Sequence, residues 1–173
     1  MYRIVKTLLR FVNKTLENTV FALGISIVGL IVTALTMSAV TRYISGNGYD
    51  WFIELPPVLI SWLVFPLLGP LWRNGQHIQV DFLSVLLNKK RVLITKLVND
   101  FVVFVGAILF FKAGIDATLL YYNMGQILEI ELEIPIWWMY LAFPVGFLIL
   151  IFFALELILD DLESLILSFR TDD

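Results

Sequence analysis

Thr19–Val40, TVFALGISIVGLIVTALTMSAV, is a run of 22 residues without a charged side chain. As a helix rising 1.5 Å per residue it reaches about 33 Å, enough to cross a hydrocarbon core of about 30 Å. A cleaved secretory signal has a shorter apolar stretch, about 7 to 15 residues, and a small-residue cleavage site. The basic start followed by this longer run therefore reads as a retained signal anchor. The whole composition agrees: 60% of the 173 residues are hydrophobic and 16% charged, with mean hydropathy +0.88, whereas soluble domains carry about 25% charged residues. Much of the chain is solvated by lipid.

Three more segments repeat the pattern. Leu55–Trp72 is uncharged and short, with Pro56 and Pro57 suited to a first helical turn and Pro66 and Pro70 expected to kink the helix. Phe101–Tyr122 is long enough to span but is interrupted by Lys112 and Asp116. Ile136–Leu159 opens on the interfacial aromatics Trp137, Trp138 and Tyr140 and is expected to bend at Pro144. With their flanks, the expected spans cover residues 18–41, 55–72, 99–122 and 136–159 of one membrane domain, 1–173. The fold class is an all-α integral membrane protein with four transmembrane helices.

Basic residues set the orientation. Arg3, Lys6, Arg10 and Lys14 precede the first span, and Arg73, Lys89, Lys90, Arg91 and Lys96 lie between the second and third. Arg42 alone lies between the first and second, none lies between the third and fourth, and Arg170 is in the tail. Positively charged loops stay in the cytoplasm, so both termini and the 73–100 loop are expected inside. The acidic loop with Glu129, Glu131 and Glu133 then faces outward.

Two segments are expected as amphipathic helices on the cytoplasmic side. In residues 1–17 the side chains Arg3, Lys6, Arg10, Lys14 and Glu17 form a polar stripe. Either this helix lies on an anionic leaflet before turning into the first span, or it is a solvated flank that only sets topology. Residues 77–91 place His77, Asp81, Ser84 and Asn88 on one face and Ile78, Phe82, Val85 and Leu86 on another. In the first span Ala22, Ser26, Gly29, Thr33 and Thr36 make a small-residue stripe that lets another helix approach, within this chain or in a partner.

Little reactive chemistry is available. The chain has no cysteine and one histidine, which excludes disulfides, thiol catalysis and multi-histidine metal sites, and no cofactor is expected. A net charge of -3 gives no reason to expect nucleic acid as a partner. Lys112 and Asp116, four residues apart inside a span, are a possible intramembrane pair, either neutralising each other or a lipid headgroup reached by snorkelling, or serving coupling or partner contact. His77 and Asp81 resemble a base and its orienting carboxylate but have no nucleophile beside them. Glu156, near the inner interface, is expected to meet water or a basic side chain. Glu129, Glu131 and Glu133 alternate with apolar residues as in a short strand and are a possible contact for a basic protein.

Trp51 and Glu54 before the second span, the block Arg73-Asn-Gly-Gln-His77-Ile-Gln-Val-Asp81-Phe-Leu83 after it, and Ile134-Pro135-Ile-Trp137 with Tyr140 and Pro144-Val-Gly146 form a recognisable set. Together with four spans and inside termini, they resemble the small membrane subunit of tripartite ATP-independent periplasmic (TRAP) transporters. The second span is richer in proline than that pattern, which leaves its helix path open. The resemblance implies a bacterial inner-membrane complex with a large membrane subunit, as a heterodimer, and a periplasmic binding protein. There sodium-coupled import of an organic anion, such as sialic acid or a C4-dicarboxylate, takes place on the large subunit and this chain is a non-catalytic scaffold. Two rivals share parts of this reading: the small four-span subunit of a tricarboxylate-type tripartite system, and a membrane enzyme using His77 and Asp81.

Overall fold

The computed structural model describes residues 2–46, 48–75, 89–128 and 133–170. They form four helices: α1 (Tyr2–Ser45), α2 (Trp51–Arg73), α3 (Lys89–Met124) and α4 (Ile136–Arg170). Each contains a segment long and apolar enough to cross a membrane. In lipid a backbone must satisfy its own hydrogen bonds, and a continuous helix does so.

The helices overrun the expected spans. α1 is a single helix from Tyr2, so residues 2–17 continue directly into the first span. α3 begins at Lys89, so residues 89–91 of the expected 77–91 helix belong to it, while residues 77–88 lie outside the described residues. At 1.5 Å per residue α1 is about 66 Å long and α3 and α4 over about 50 Å, so all three extend well past a core of about 30 Å. α2 starts at Trp51, where the amides of Ile53 and Glu54 bond the Asp50 carbonyl at 2.9 and 3.1 Å. Pro56 and Pro57 therefore sit beyond the first turn rather than in it. The helix continues through them and through Pro66 and Pro70, both buried.

α4 is the hub. It packs along α3 on one side and α2 on the other, while α1 lies against α2 and touches α4 less. In its most apolar window α4 is 44% buried, against 17% for α1 and 11% for α3. Val20, Ile149 and Phe153 form the core cluster, flanked by Leu16, Leu67 and Val145. Higher up, Phe65, Phe143, Phe147 and Phe110 join α2, α4 and α3, with ring centroids 4.6, 4.7 and 5.2 Å apart in that order. Such aromatic pairs add to the area they bury.

Glycines set how closely α4 approaches its neighbours. A Cβ on Gly146 would fall on the backbone carbonyl of Phe65, and one on Gly69 would lie 2.7 Å from the Phe153 ring. Small residues at such crossings let backbones approach where lipid supplies no hydrophobic drive for helix association. Gly146→Ala is expected to destabilise the fold by about 2 to 3 kcal/mol, because backbone cannot move aside as a side-chain tip can. Gly29→Ala meets open space and should change stability by less than about 1 kcal/mol. Thermal unfolding of both variants in detergent micelles checks the contrast, and equal melting temperatures would refute it.

Candidate functional site

The ion pairs among the described residues gather at one end of the bundle, where the start of α1 meets the finish of α4. Along α1, Lys6, Arg10, Asn13 and Glu17 recur at helical spacing and share a face. Along α4, Glu156, Asp160 and Glu163 do the same. The two helices run antiparallel, so the stripes meet in order. Lys6 Nζ bonds Glu163 and lies 2.6 Å from Asp160 Oδ1, and Arg10 Nη2 donates to Asp160 Oδ1 at 2.8 Å. Asn13 is fully buried and donates to Glu156 Oε2 at 2.6 Å and to the Phe152 carbonyl at 3.1 Å.

Arg73, the last residue of α2, ties three helices together. Nη1 donates to Glu17 Oε2 of α1 at 3.0 Å and Nη2 pairs with Glu156 Oε1 of α4 at 3.2 Å, while Asn74 adds a bond to Glu17 Oε1 at 3.1 Å. Its guanidinium carbon also lies 5.9 Å from the centre of the Phe153 ring, within cation–π range. The planar fork of arginine suits this bridging of two carboxylates, which one ammonium would fill poorly. Glu156 is only 2% exposed, so its charge depends on these partners. α3 joins the same layer: Trp72 Nε1 donates to Asp100 Oδ1 at 2.9 Å, and the Asp100 carboxyl lies beside that of Asp161 of α4.

An aromatic rim closes the opposite end. Tyr121 and Tyr140 stack with centroids 4.2 Å apart and hydroxyls at 3.2 Å, Trp137 meets Tyr122 edge-on, and Trp62 Nε1 donates to the Trp138 carbonyl at 3.2 Å. From Trp137 to Glu156 along α4 is about 28 Å, and from Asp100 to Tyr121 along α3 about 32 Å, at 1.5 Å per residue. These match a hydrocarbon core of about 30 Å. Ionic layer and aromatic rim thus bracket one lipid-thick slab.

Trp51 and Glu54 are partly buried at the start of α2, where the Trp51 ring lies 3.8 Å from Phe52. Pro135 forms an isolated antiparallel bridge with Ile127, supported by Leu128 N–H to Ile134 O at 2.9 Å and Ile136 N–H to Gln126 O at 3.0 Å. Glu133 is exposed, with φ of 44°; Glu129 and Glu131 lie outside the described residues, as do His77 and Asp81. Lys112 and Asp116 are both exposed on α3 and form no ion pair with each other. Asn13, Trp72, Asp100, Asp160, Asp161 and Glu163 did not stand out in the sequence reading. The 3–4 spacing of acids in the α4 tail, matching that of the bases in α1, was the available signal. Among the described residues, no group of three or more His, Cys, Asp or Glu could hold a metal ion. A cavity of about 200 Å³ between α2 and α4, lined by Ser61, Phe65, Met139, Tyr140 and Phe143, contains no charged side chain.

Residues 31–164 match the family model for tripartite ATP-independent periplasmic transporters, DctQ component. The chain belongs to this family. It is thus a multi-pass membrane protein and a small subunit of a TRAP transporter, which favours that resemblance over the tricarboxylate-type system. The match contains Arg73, Asp100 and Glu156, whereas Lys6, Arg10, Asn13 and Glu17 precede it. No curated protein matches the sequence significantly.

Removing one partner from a buried ion pair costs about 3 to 5 kcal/mol, whereas a half-exposed pair is worth about 0 to 1 kcal/mol. Arg73→Ala, which takes the nearest cation from buried Glu156 and leaves it Asn13 and the Arg10 Nε at 3.9 Å, is accordingly expected to lower the melting temperature in detergent far more than Glu163→Ala. Similar losses from the two substitutions would mean that the layer does not hold the helices together.

Proposed function

We propose that this TRAP subunit is a non-catalytic scaffold in the bacterial inner membrane. It holds the static part of the large transport subunit and helps dock the periplasmic binding protein during sodium-coupled uptake of an organic anion, a carboxylate such as sialic acid or a C4-dicarboxylate. The observation carrying this reading is the use made of polar groups. The buried charge of Glu156 is paired with the partly buried Arg73 to join helices, and the cavity between α2 and α4 offers a solute only the Ser61 and Tyr140 hydroxyls. An organic anion and its sodium ions need a cationic or hydrogen-bonding pocket and several oxygen ligands.

The distribution of lysine and arginine supports placing the ionic layer and both termini on the cytoplasmic side. The rim, the Ile127–Pro135 bridge and the acidic residues Glu129, Glu131 and Glu133 then face the periplasm, where a basic surface of the binding protein would meet them. Substrate selection is assigned to the other two components, since the cavity between α2 and α4 is lined without a charged side chain.

Affinity purification from native membranes, followed by mass spectrometry, should recover the large subunit in stoichiometric amount. Sodium-dependent uptake by the small subunit alone in liposomes would overturn the scaffold assignment. The chain has no native cysteine, so single cysteines at Gly48, Asn88 and Gln126 test orientation cleanly. The expected pattern with an impermeant maleimide is outside, inside and outside, and labelling of position 88 from the periplasm would invert the map.

A further inference from the structure

The ionic layer leaves two charges unexplained in the middle of the slab. Lys112 lies about 18 Å along α3 from Asp100 of the layer and about 13 Å short of Tyr121 in the rim, with Asp116 about 6 Å above it, at 1.5 Å per residue. Both are exposed. The side of α3 that meets α4 carries Ala107, Gly114 and Thr118, all buried, and Gly114 abuts Phe143 and Pro144. At 100° per residue Lys112 and Asp116 point almost directly away from it, among the exposed Val105, Ile108, Leu109 and Leu119.

Lipid tails cannot satisfy these groups. The rim is farther from Lys112 than a lysine stem extends, so snorkelling does not bring the ammonium to water. Mutual neutralisation is also weak: lysine preceding an acid by four residues is the poorer order on a helix, and the two side chains are not bonded to each other in the structure. The hydroxyls of α1 differ in this respect. Ser26, Thr33 and Thr36 donate to the carbonyls of Ala22, Gly29 and Val32 at 2.9, 2.7 and 2.7 Å and are satisfied without a neighbour.

We infer that the face of α3 bearing Lys112 and Asp116 is the docking surface for a transmembrane helix of the large subunit, one with complementary polar side chains at mid-depth. The inference rests on the scaffold reading and adds the face and its chemistry. A second copy of this chain fits poorly, because parallel copies related by a two-fold axis along the membrane normal would set Lys112 level with Lys112 and Asp116 level with Asp116. The periplasmic binding protein cannot reach this depth.

A photo-reactive benzophenone amino acid placed at Leu109 or Leu119, with the full complex expressed in native membranes, tests the surface while leaving both charges intact. The expected product is an adduct of this chain with the large subunit. Adducts only with lipid or with a second copy, from a complex that still co-purifies, would overturn the assigned face and leave the scaffold reading standing. Failure of the large subunit to co-purify at all would remove both. In parallel, Lys112→Leu should reduce recovery of the large subunit at least threefold without changing the melting of the isolated small subunit. A loss of melting temperature with undiminished recovery would make Lys112 a matter of internal structure and overturn the inference.

Discussion

Glu156 sets the terms for the rest of the bundle. A carboxylate 2% exposed near the edge of the hydrocarbon must be neutralised by groups whose positions are fixed. Arg73 and Asn13 provide this from two different helices. Because Arg73 also holds Glu17, a slip of one turn, about 5.4 Å, in α1, α2 or α4 would move at least one charge into lipid without a partner. The polar layer thereby fixes the vertical register. That register in turn brings Gly146 against Phe65 and Gly69 against Phe153, the close approaches on which the apolar packing is built.

Fixing the register at one end leaves the lateral arrangement to shape. α4 is surrounded, whereas α1 and α3 lie on the flanks and present long apolar faces outward. For most of those residues lipid is a sufficient neighbour, since acyl chains are as apolar as leucine. Exposed apolar area in a spanning helix is therefore no sign of a partner. What discriminates is a polar group that neither its own backbone nor the lipid can satisfy. By that criterion the two flanks differ: the α1 hydroxyls close on their own helix, and the charges at 112 and 116 do not.

Four crossings were legible in the sequence because a bilayer demands uninterrupted apolar length, and length can be read directly. Helix ends were not legible in the same way. An apolar run marks where lipid begins and ends, and α1, α3 and α4 continue past that boundary into polar sequence with good helical propensity. The stripe of Lys6, Arg10 and Glu17 showed as a face, but periodicity does not say what a face meets. A leaflet or bulk water was expected to meet it; Lys6 and Arg10 turn to Asp160 and Glu163 of α4, and Lys14 is exposed. Asp100 was hidden for a different reason: its bond to Trp72 joins two helices from positions 28 residues apart, and spacing along the chain carries no trace of it.

The family block that starts at Arg73 can be interpreted in these terms. Its first two residues hold Glu17 from the end of α2, and its third, Gly75, turns the chain with φ of 63°, a conformation glycine adopts without strain. Arginine at a helix C-terminus also complements the partial negative charge of the exposed carbonyls. Each of these roles concerns how α2 is fastened and how the chain leaves the bundle, and none requires a solute. The described start of the block, Arg73 to Gly75, thus fastens α1, α2 and α4 to one another at this end of the bundle.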